Sequence, residues 1–221
     1  MKVLVFAPHL DDEILGLGGT LAKHIANGNE VYVCVVARGS RKLYSEELLK
    51  ERDEEALACH KFLGIKETIL LGLESTHLEE INRIEFNRKI GEVVNRIQPE
   101  EVYIPHYGDM HKDHNVVTSA AMVALRPRGK NIVRRVYCYE TPSETGWNIP
   151  GVVTDFLPNV YNDITDHLET KLKAMAFYKT QMSPFPNPRS LEALEALAKY
   201  RGMICGCKAA EAFALVREIK F

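Results

Sequence analysis

The chain lacks a strong charge of either sign and has no long apolar run. Its 221 residues include 28 Lys and Arg against 30 Asp and Glu, which gives a formal net charge of −2. This balance gives no electrostatic reason to expect a nucleic acid or a membrane surface as a partner. The apolar runs are only as long as strands, so we expect no membrane span. Because the start of the chain does not resemble a cleavable signal peptide, we expect a cytoplasmic protein.

Cysteine is also scarce, and its spacing does not suggest a disulfide framework. An odd number of cysteines without regular spacing favours free thiols in a reducing compartment. Cys205-Gly206-Cys207 could bind a metal or change its redox state, but it lacks a second cysteine pair, and a typical ligand pair has two intervening residues. The five cysteines are Cys34, Cys59, Cys138, Cys205 and Cys207.

The first two-thirds of the chain alternates predicted strands with predicted helices. Such alternation favours a parallel sheet with right-handed crossovers and helices on both faces. We therefore expect an α/β fold, a Rossmann-like three-layer sandwich with a mostly parallel sheet. The predicted strands are 2–8, 30–37, 69–71, 101–105 and 133–139, and the predicted helices are 12–27, 46–63, 78–97 and 114–125.

The last third of the chain is less regular. Residues 141–147 have the composition of a loop. Asp166-x-x-Glu169 resembles a capping box, which predicts a helix over about 166–181. The proline-rich segment 183–188 cannot be helical, and Ser190 is expected to cap a helix that ends at Gly202. No repeat or linker divides the chain, so we expect a single domain over 1–221.

A cluster of polar residues stands where the first predicted strand ends. His9, Asp11, Asp12 and Glu13 follow the apolar segment directly. The carboxyl ends of strands are where open α/β sheets place their ligands. Crowded carboxylates raise one another's pKa, and a divalent cation is the simplest way to relieve that repulsion.

A second cluster follows the predicted strand 101–105. It holds His106, Asp109, His111, Asp113 and His114 within nine residues. Both clusters can meet at one edge of the sheet, and His and Asp side chains suit a catalytic zinc site. The alternative is a set of solvated loop residues, with Asp12 or Asp113 acting only as a helix N-cap. His106 and Asp109 could line the cleft or be solvated.

The two clusters resemble the signatures of the LmbE-like de-N-acetylase family, which includes the PIG-L type enzymes. That family carries Ala-His-Pro-Asp-Asp-Glu near its N terminus and His-x-Asp-His further along. Here the matching segments are Pro8-His9-Leu10-Asp11-Asp12-Glu13 and His111-Lys112-Asp113-His114. Leu10 replaces the usual proline, which should change the stiffness of the loop more than its ligand chemistry.

The resemblance implies a role for each matching residue. His9, Asp12 and His114 correspond to the metal ligands, with Zn²⁺ expected and other divalent metals acceptable. Asp11 corresponds to the general base. His111 corresponds to the residue that stabilises the oxyanion, for which a charged imidazolium would be a strong donor.

Three further residues receive supporting roles. Asp113 is expected to orient His111 and keep it charged, with a helix cap as the alternative. Arg52 resembles the family arginine that reaches the substrate sugar, with an ion pair to a glutamate of its own helix as the alternative. Glu13 is expected to support the ligands or to place a charge early in the helix.

The resemblance therefore implies a zinc-dependent hydrolase that removes an N-acetyl group from a small N-acetylated amino sugar or sugar conjugate. Family members often form trimers or hexamers, so a homo-oligomer is expected. One alternative is a metal-dependent phosphoesterase, which the scarcity of Lys and Arg in both clusters disfavours. Another is a catalytically inactive carbohydrate-binding protein that contains a metal. The presence of both Asp11 and His111 argues against it, since neither is needed to hold a metal.

Overall fold

The chain forms a mixed sheet in a computed structural model that describes residues 1–128 and 132–220. Over these residues the strands are β1 (Lys2–Ala7), β2 (Glu30–Arg38), β3 (Glu67–Glu74), β4 (Glu101–Pro105), β5 (Arg135–Tyr139), β6 (Val160–Asp163) and β7 (Ala210–Glu218). Their order in the seven-stranded sheet is β3-β2-β1-β4-β5-β7-β6. Strands β1 to β5 pair in parallel, and β7 pairs antiparallel with both β5 and β6. The expected α/β fold with a mostly parallel sheet is confirmed.

Strands β6 and β7 were not predicted. The sequence of β7, AEAFALVRE, is rich in residues that also favour helices. Its extended conformation comes from pairing with β5 and β6 on its two sides. Strand propensity depends on such neighbours, which are distant in sequence here.

The helices occur in the predicted order, and some of them differ from prediction in their bounds. They are α1 (Asp12–Ala26), α2 (Glu46–Leu63), α3 (Arg83–Ile97), α4 (Lys112–Ala124), α5 (Leu168–Met175) and α6 (Leu191–Cys205), with 3₁₀ turns at Leu78–Glu80 and Thr165–His167. Among these described helices, none combines the length and apolar character needed to cross a bilayer.

Two predicted helices are shorter in the structure, each for a local reason. The predicted helix 78–97 is divided because the side chain of Asn82 accepts the N–H groups of Ile84 and Glu85 and so begins a new helix. The predicted helix 166–181 ends at Met175. Beyond it, Glu55 accepts hydrogen bonds from the backbone N–H and the hydroxyl of Thr180, which holds that segment in a non-helical path.

Two apolar cores flank the sheet. One contains buried residues of α1, α2 and α5, such as Leu15, Ala56 and Met175. The other contains residues of α3 and α4, such as Ile90 and Val117. Alternate residues of β1 enter the two cores, as the period of a strand requires. The sheet therefore lies between two helical layers, as expected.

The two predicted clusters lie at the point where the strand order reverses. β1 and β4 are neighbours in the sheet, and their following helices, α1 and α4, pack on opposite faces. The chain therefore diverges after these two strands and leaves a crevice at their carboxyl ends. Ligands of open α/β sheets bind in such a crevice.

Helix α1 is kinked, and two distant side chains stabilise the kink. Leu17 has non-helical angles of φ −147° and ψ 22°. The buried Nζ of Lys171 donates to the carbonyl of Leu15 over 2.9 Å. Glu211, paired with Lys171, accepts the N–H of Gly19 over 3.0 Å. Backbone groups released by the kink are thus satisfied, and α1 is tied to α5 and β7.

The close packing of α1 at Gly16 can be tested by substitution. A Cβ at Gly16 would overlap the Tyr139 ring and lie 2.8 Å from the carbonyl oxygen of Glu140. We expect Gly16→Ala to lower the free energy of unfolding by about 1–3 kcal/mol. Gly91→Ala in α3 is the matched control, because a Cβ there meets nothing within 4 Å. It should instead raise stability, by about 0.4–1 kcal/mol. Urea denaturation of both variants measures the difference, and equal shifts would contradict the packing argument.

Candidate active site

The turn after β1 places two neighbouring carboxylates in different environments. Asp11 is the N-cap residue of α1 and has a left-handed backbone with φ 95°, but its side chain makes no capping hydrogen bond. Asp12 is the first residue of α1, and its Oδ2 accepts the backbone N–H of His9 over 2.8 Å. The reading of Asp12 as a simple N-cap is therefore wrong. Both carboxylates are fully buried.

The turn after β4 differs from the sequence prediction in the partners of Asp113. His111 is the N-cap residue of α4, and its Nδ1 accepts the backbone N–H of Asp113 over 3.2 Å. The Asp113 carboxylate accepts hydrogen bonds of 2.9 Å each from His9 Nε2 and the backbone N–H of Thr76. It lies 3.8 Å from His111 Nδ1, too far for a hydrogen bond. Asp113 is therefore not the N-cap, and its carboxylate is not hydrogen-bonded to His111.

The surroundings of His111 oppose the charge that was expected on its ring. Burial, together with the nearby positive charge of His9, lowers the pKa of His111 to about 4. The imidazole is thus neutral at neutral pH. Because Nδ1 accepts a hydrogen bond from the backbone, the ring proton is on Nε2.

The structure brings together His9, Asp12 and His114. Asp12 Oδ2 lies 3.3 Å from His9 Nδ1 and 3.2 Å from His114 Nε2. One ligand atom from each residue falls within 4.8 Å of the others. A second group, formed by His9, His111 and Asp113, meets the same distance limit and shares His9 with the first.

These histidines are in a strongly negative environment. Burial disfavours a charge on His9, but hydrogen bonds to Asp113 and Asp12 raise its pKa to about 9. Burial also opposes a charge on His114, yet Asp12 and Asp109 raise its pKa to about 10. The cluster therefore stabilises positive charge at its centre.

Two unpartnered atoms show that the first group fits a metal ion. Asp12 Oδ1 and His114 Nε2 are buried, and neither has a hydrogen-bond partner among the described residues. Such an atom typically costs about 1–3 kcal/mol when left unsatisfied. Two imidazoles and a carboxylate are a donor set that divalent transition metals accept. The residues present therefore fit such an ion.

Asp109 has a specific role that the sequence did not reveal. It is buried rather than solvated, and its Oδ2 lies 2.8 Å from His114 Nδ1. Its other oxygen accepts the hydroxyl of Thr145 over 2.5 Å. The contact between Asp109 and His114 keeps the proton on Nδ1 of His114 and leaves Nε2 to face Asp12. The signal in the sequence was the position of Asp109, an acidic residue five positions before the candidate ligand His114. His106, in contrast, faces the Thr154 carbonyl at 2.9 Å.

Arg189 was missed altogether. Its Nε donates to Asp11 Oδ2 over 2.9 Å, and its guanidinium lies 3.9 Å from Glu144. Burial raises the pKa of Asp11 to about 7, with Arg189 opposing and Asp12 adding to the shift. Asp11 Oδ1 is buried and has no hydrogen-bond partner among the described residues. Asp11 thus has one oxygen held by Arg189 and one free to accept a proton.

Glu13 contacts residues other than the candidate ligands. Its Oε1 accepts hydrogen bonds from the Tyr178 hydroxyl and, over 3.0 Å, from His60 Nε2. His60 is buried and also contacts Thr68 over 2.8 Å.

Arg52 lies beside the cluster in a cavity of about 220 Å³. The cavity is also lined by His9, His111, Tyr44, Arg189 and Gln181. The Arg52 guanidinium lies 4.2 Å from the centroid of the Tyr44 ring. Its Nε is buried without a hydrogen-bond partner among the described residues. Arg52 therefore borders the cavity with donor capacity unused.

The chain matches known proteins in sequence and in fold. The family model for PIG-L, GlcNAc-PI de-N-acetylase, matches residues 4–125. The chain is 29% identical to the uncharacterized deacetylase YaiS of Escherichia coli K12 over 183 residues, which cover 80% of this chain and 90% of that one. It is 27% identical over 225 residues to the diacetylchitobiose deacetylase of Thermococcus kodakarensis, with 97% and 83% covered.

A solved structure shows the same fold over nearly the whole chain. The conserved protein TT1542 from Thermus thermophilus superposes with a TM-score of 0.81 at 26% identity, covering 99% of this chain and 96% of that one. The stretch that matches the family model contains both strand-end clusters and more than half of the 221 residues. The chain therefore belongs to the PIG-L (GlcNAc-PI de-N-acetylase) family.

Proposed function

We propose that the protein is a zinc-dependent deacetylase that removes the N-acetyl group of an N-acetylated amino sugar or sugar conjugate. The observation that carries this proposal is that two buried atoms, Asp12 Oδ1 and His114 Nε2, have no hydrogen-bond partner among the described residues. Beside them, Asp11 also has one oxygen, Oδ1, without such a partner. The relative from Thermococcus kodakarensis, a diacetylchitobiose deacetylase, supports the substrate class.

We assign His9, Asp12 and His114 as the metal ligands. A zinc ion held by these residues would supply Lewis acidity, which would polarise the amide carbonyl and lower the pKa of water. Asp113 is hydrogen-bonded to His9, and Asp109 is hydrogen-bonded to His114. Each histidine is therefore oriented by its own carboxylate. Asp113 is accordingly a positioning residue for a ligand in this proposal.

Asp11 and His111 perform the proton and charge steps. The free Oδ1 of Asp11 accepts the proton of the attacking water, while Arg189 holds Oδ2 in place. A pKa of about 7 suits both this transfer and the return of the proton to the leaving amine. His111 is neutral and carries its proton on Nε2, from which it donates to the developing oxyanion. A full charge on His111 is unnecessary for that role.

The central test is release of acetate from N-acetylated sugars such as diacetylchitobiose. We expect zinc-loaded protein to release acetate, a chelator to abolish the activity and added zinc to restore it. Asp11→Asn should retain zinc but lower kcat by about 100- to 10,000-fold, because an amide cannot accept the proton. The exposed Asp166→Asn is the matched control and should behave as wild type. A normal kcat in zinc-loaded Asp11→Asn would remove Asp11 from the mechanism.

A further prediction concerns the orientation of His114. Asp109→Asn should weaken zinc binding by about 10- to 100-fold, since it removes the carboxylate that fixes the imidazole. Competition with a chromophoric chelator measures this affinity independently of turnover. Asp155→Asn is the control, because Asp155 is exposed. Unchanged zinc affinity in Asp109→Asn would show that the 2.8 Å contact does not support the ligand.

Another prediction concerns Arg52, which we assign to substrate binding. Arg52→Met keeps an apolar stem over Tyr44 but removes the charged donor. We expect kcat/KM to fall by about 10- to 100-fold, mainly through KM, because a hydrogen bond to a charged group is lost. Steady-state kinetics on the same sugar provide the measurement. A fall confined to kcat would place Arg52 in the chemical step instead.

A further inference from the structure

Two thiols lie together far along the chain, at the carboxyl end of α6. Cys205 is exposed and Cys207 is half-buried. Their Sγ atoms are 3.4 Å apart. Cys34 and Cys59, in contrast, are buried. The Cys205–Cys207 pair is thus within reach of small molecules in solution.

The backbone that holds the two thiols together is fixed by its packing. Gly206 ends α6 with a left-handed φ of 80°. The N–H groups of Gly206 and Cys207 both donate to the carbonyl of Gly202, the latter over 3.0 Å. A Cβ on Gly202 would lie 2.7 Å from the backbone of Cys207 and of Ala209. The chain therefore reverses against Gly202 and returns Cys207 to the side of Cys205.

The sulfur atoms also contact backbone carbonyls, and Cys207 in addition contacts the carboxylate of Asp163. Cys205 Sγ lies 3.5 Å from the Gly202 carbonyl, and Cys207 Sγ lies 3.3 Å from the Ala209 carbonyl. Burial, the contact with Cys205 and the negative charge of Asp163 raise the pKa of Cys207 to about 11. Cys207 is thus a protonated thiol at neutral pH. A disulfide requires a sulfur separation of about 2.0 Å, which rotation about the side-chain bonds must supply.

We propose that Cys205 and Cys207 form a thiol–disulfide exchange site that reacts with small disulfides such as glutathione disulfide. The exposed Cys205 attacks first as a thiolate, forms a mixed disulfide and releases one glutathione. Cys207 then loses its proton to solvent and attacks Sγ of Cys205. The bond between Cys205 and glutathione breaks, the Cys205–Cys207 bond forms and the second glutathione leaves. Two electrons pass from the cysteines to the glutathione disulfide, and two glutathione thiols result.

The two thiols lie close together, so attack of Cys207 on the mixed disulfide should be faster than accumulation of the glutathione adduct. Reacting groups held next to each other have a high effective concentration. The hydrogen-bonded turn at Gly202 and Gly206 provides this proximity before any reaction. The site is separate from the proposed deacetylase centre and does not depend on it.

Mass spectrometry of the folded wild-type protein treated with glutathione disulfide tests the proposal. We expect the chain to lose two hydrogens, with the new bond mapped to the peptide that contains Cys205 and Cys207. Cys207→Ser should instead retain one glutathione on Cys205. Wild-type protein that stays fully reduced, or that retains glutathione on Cys205, would overturn the proposal. Cys34 and Cys59 serve as internal controls and should react only after denaturation.

Two substitutions at Gly206 test the role of the turn itself. A Cβ there meets nothing within 4 Å, so a side chain adds backbone strain without a clash. Gly206→Ala should disfavour the left-handed φ and allow the glutathione adduct to accumulate. Gly206→Asn tolerates that φ better and should react more like wild type. If Gly206→Ala closes the disulfide as fast as wild type, the turn does not provide the proximity that we infer.

Discussion

The burial of two adjacent carboxylates, Asp11 and Asp12, is the constraint on which the site depends. Each needs positive charge nearby, and each obtains it from a different source. Burial would raise the pKa of Asp12, but His114 and His9 hold it well below its usual range. Asp11 has the single guanidinium of Arg189, and its pKa rises to about 7. In the proposed mechanism, neighbouring residues of the same type can therefore serve as metal ligand and as general base, because their surroundings separate their proton affinities.

The rest of the fold keeps these charges in place. The reversal of strand order between β1 and β4 brings the two clusters to one crevice. The Lys171–Glu211 pair satisfies the kinked backbone of α1 directly after the turn that carries Asp12. Asp109 fixes the imidazole of His114 from behind. The Lys171–Glu211 support lies on α5 and β7 rather than on α1, so the geometry after β1 depends on elements distant in sequence.

Features of the site that depend on local residue spacing could be predicted from the sequence. His9 and Asp12 belong to one turn, and the alternation of strands and helices implied that this turn would meet a second cluster after β4. Contacts between distant segments were not predictable in the same way. Arg189 reaches Asp11 across 178 residues from a proline-rich loop. The partner of Asp113 proved to be His9 rather than the nearby His111, because the start of α4 commits His111 Nδ1 to the backbone.

The proposed mechanism requires one metal ion held by His9, Asp12 and His114. The structure contains a competing group that shares His9, formed with His111 and Asp113, so the two arrangements can be distinguished directly. Anomalous X-ray diffraction from crystals of the zinc-loaded protein is the decisive measurement. We expect one strong zinc peak per chain within bonding distance of His9, Asp12 and His114. A peak bound instead by His111 and Asp113, or no peak in this crevice, would contradict it.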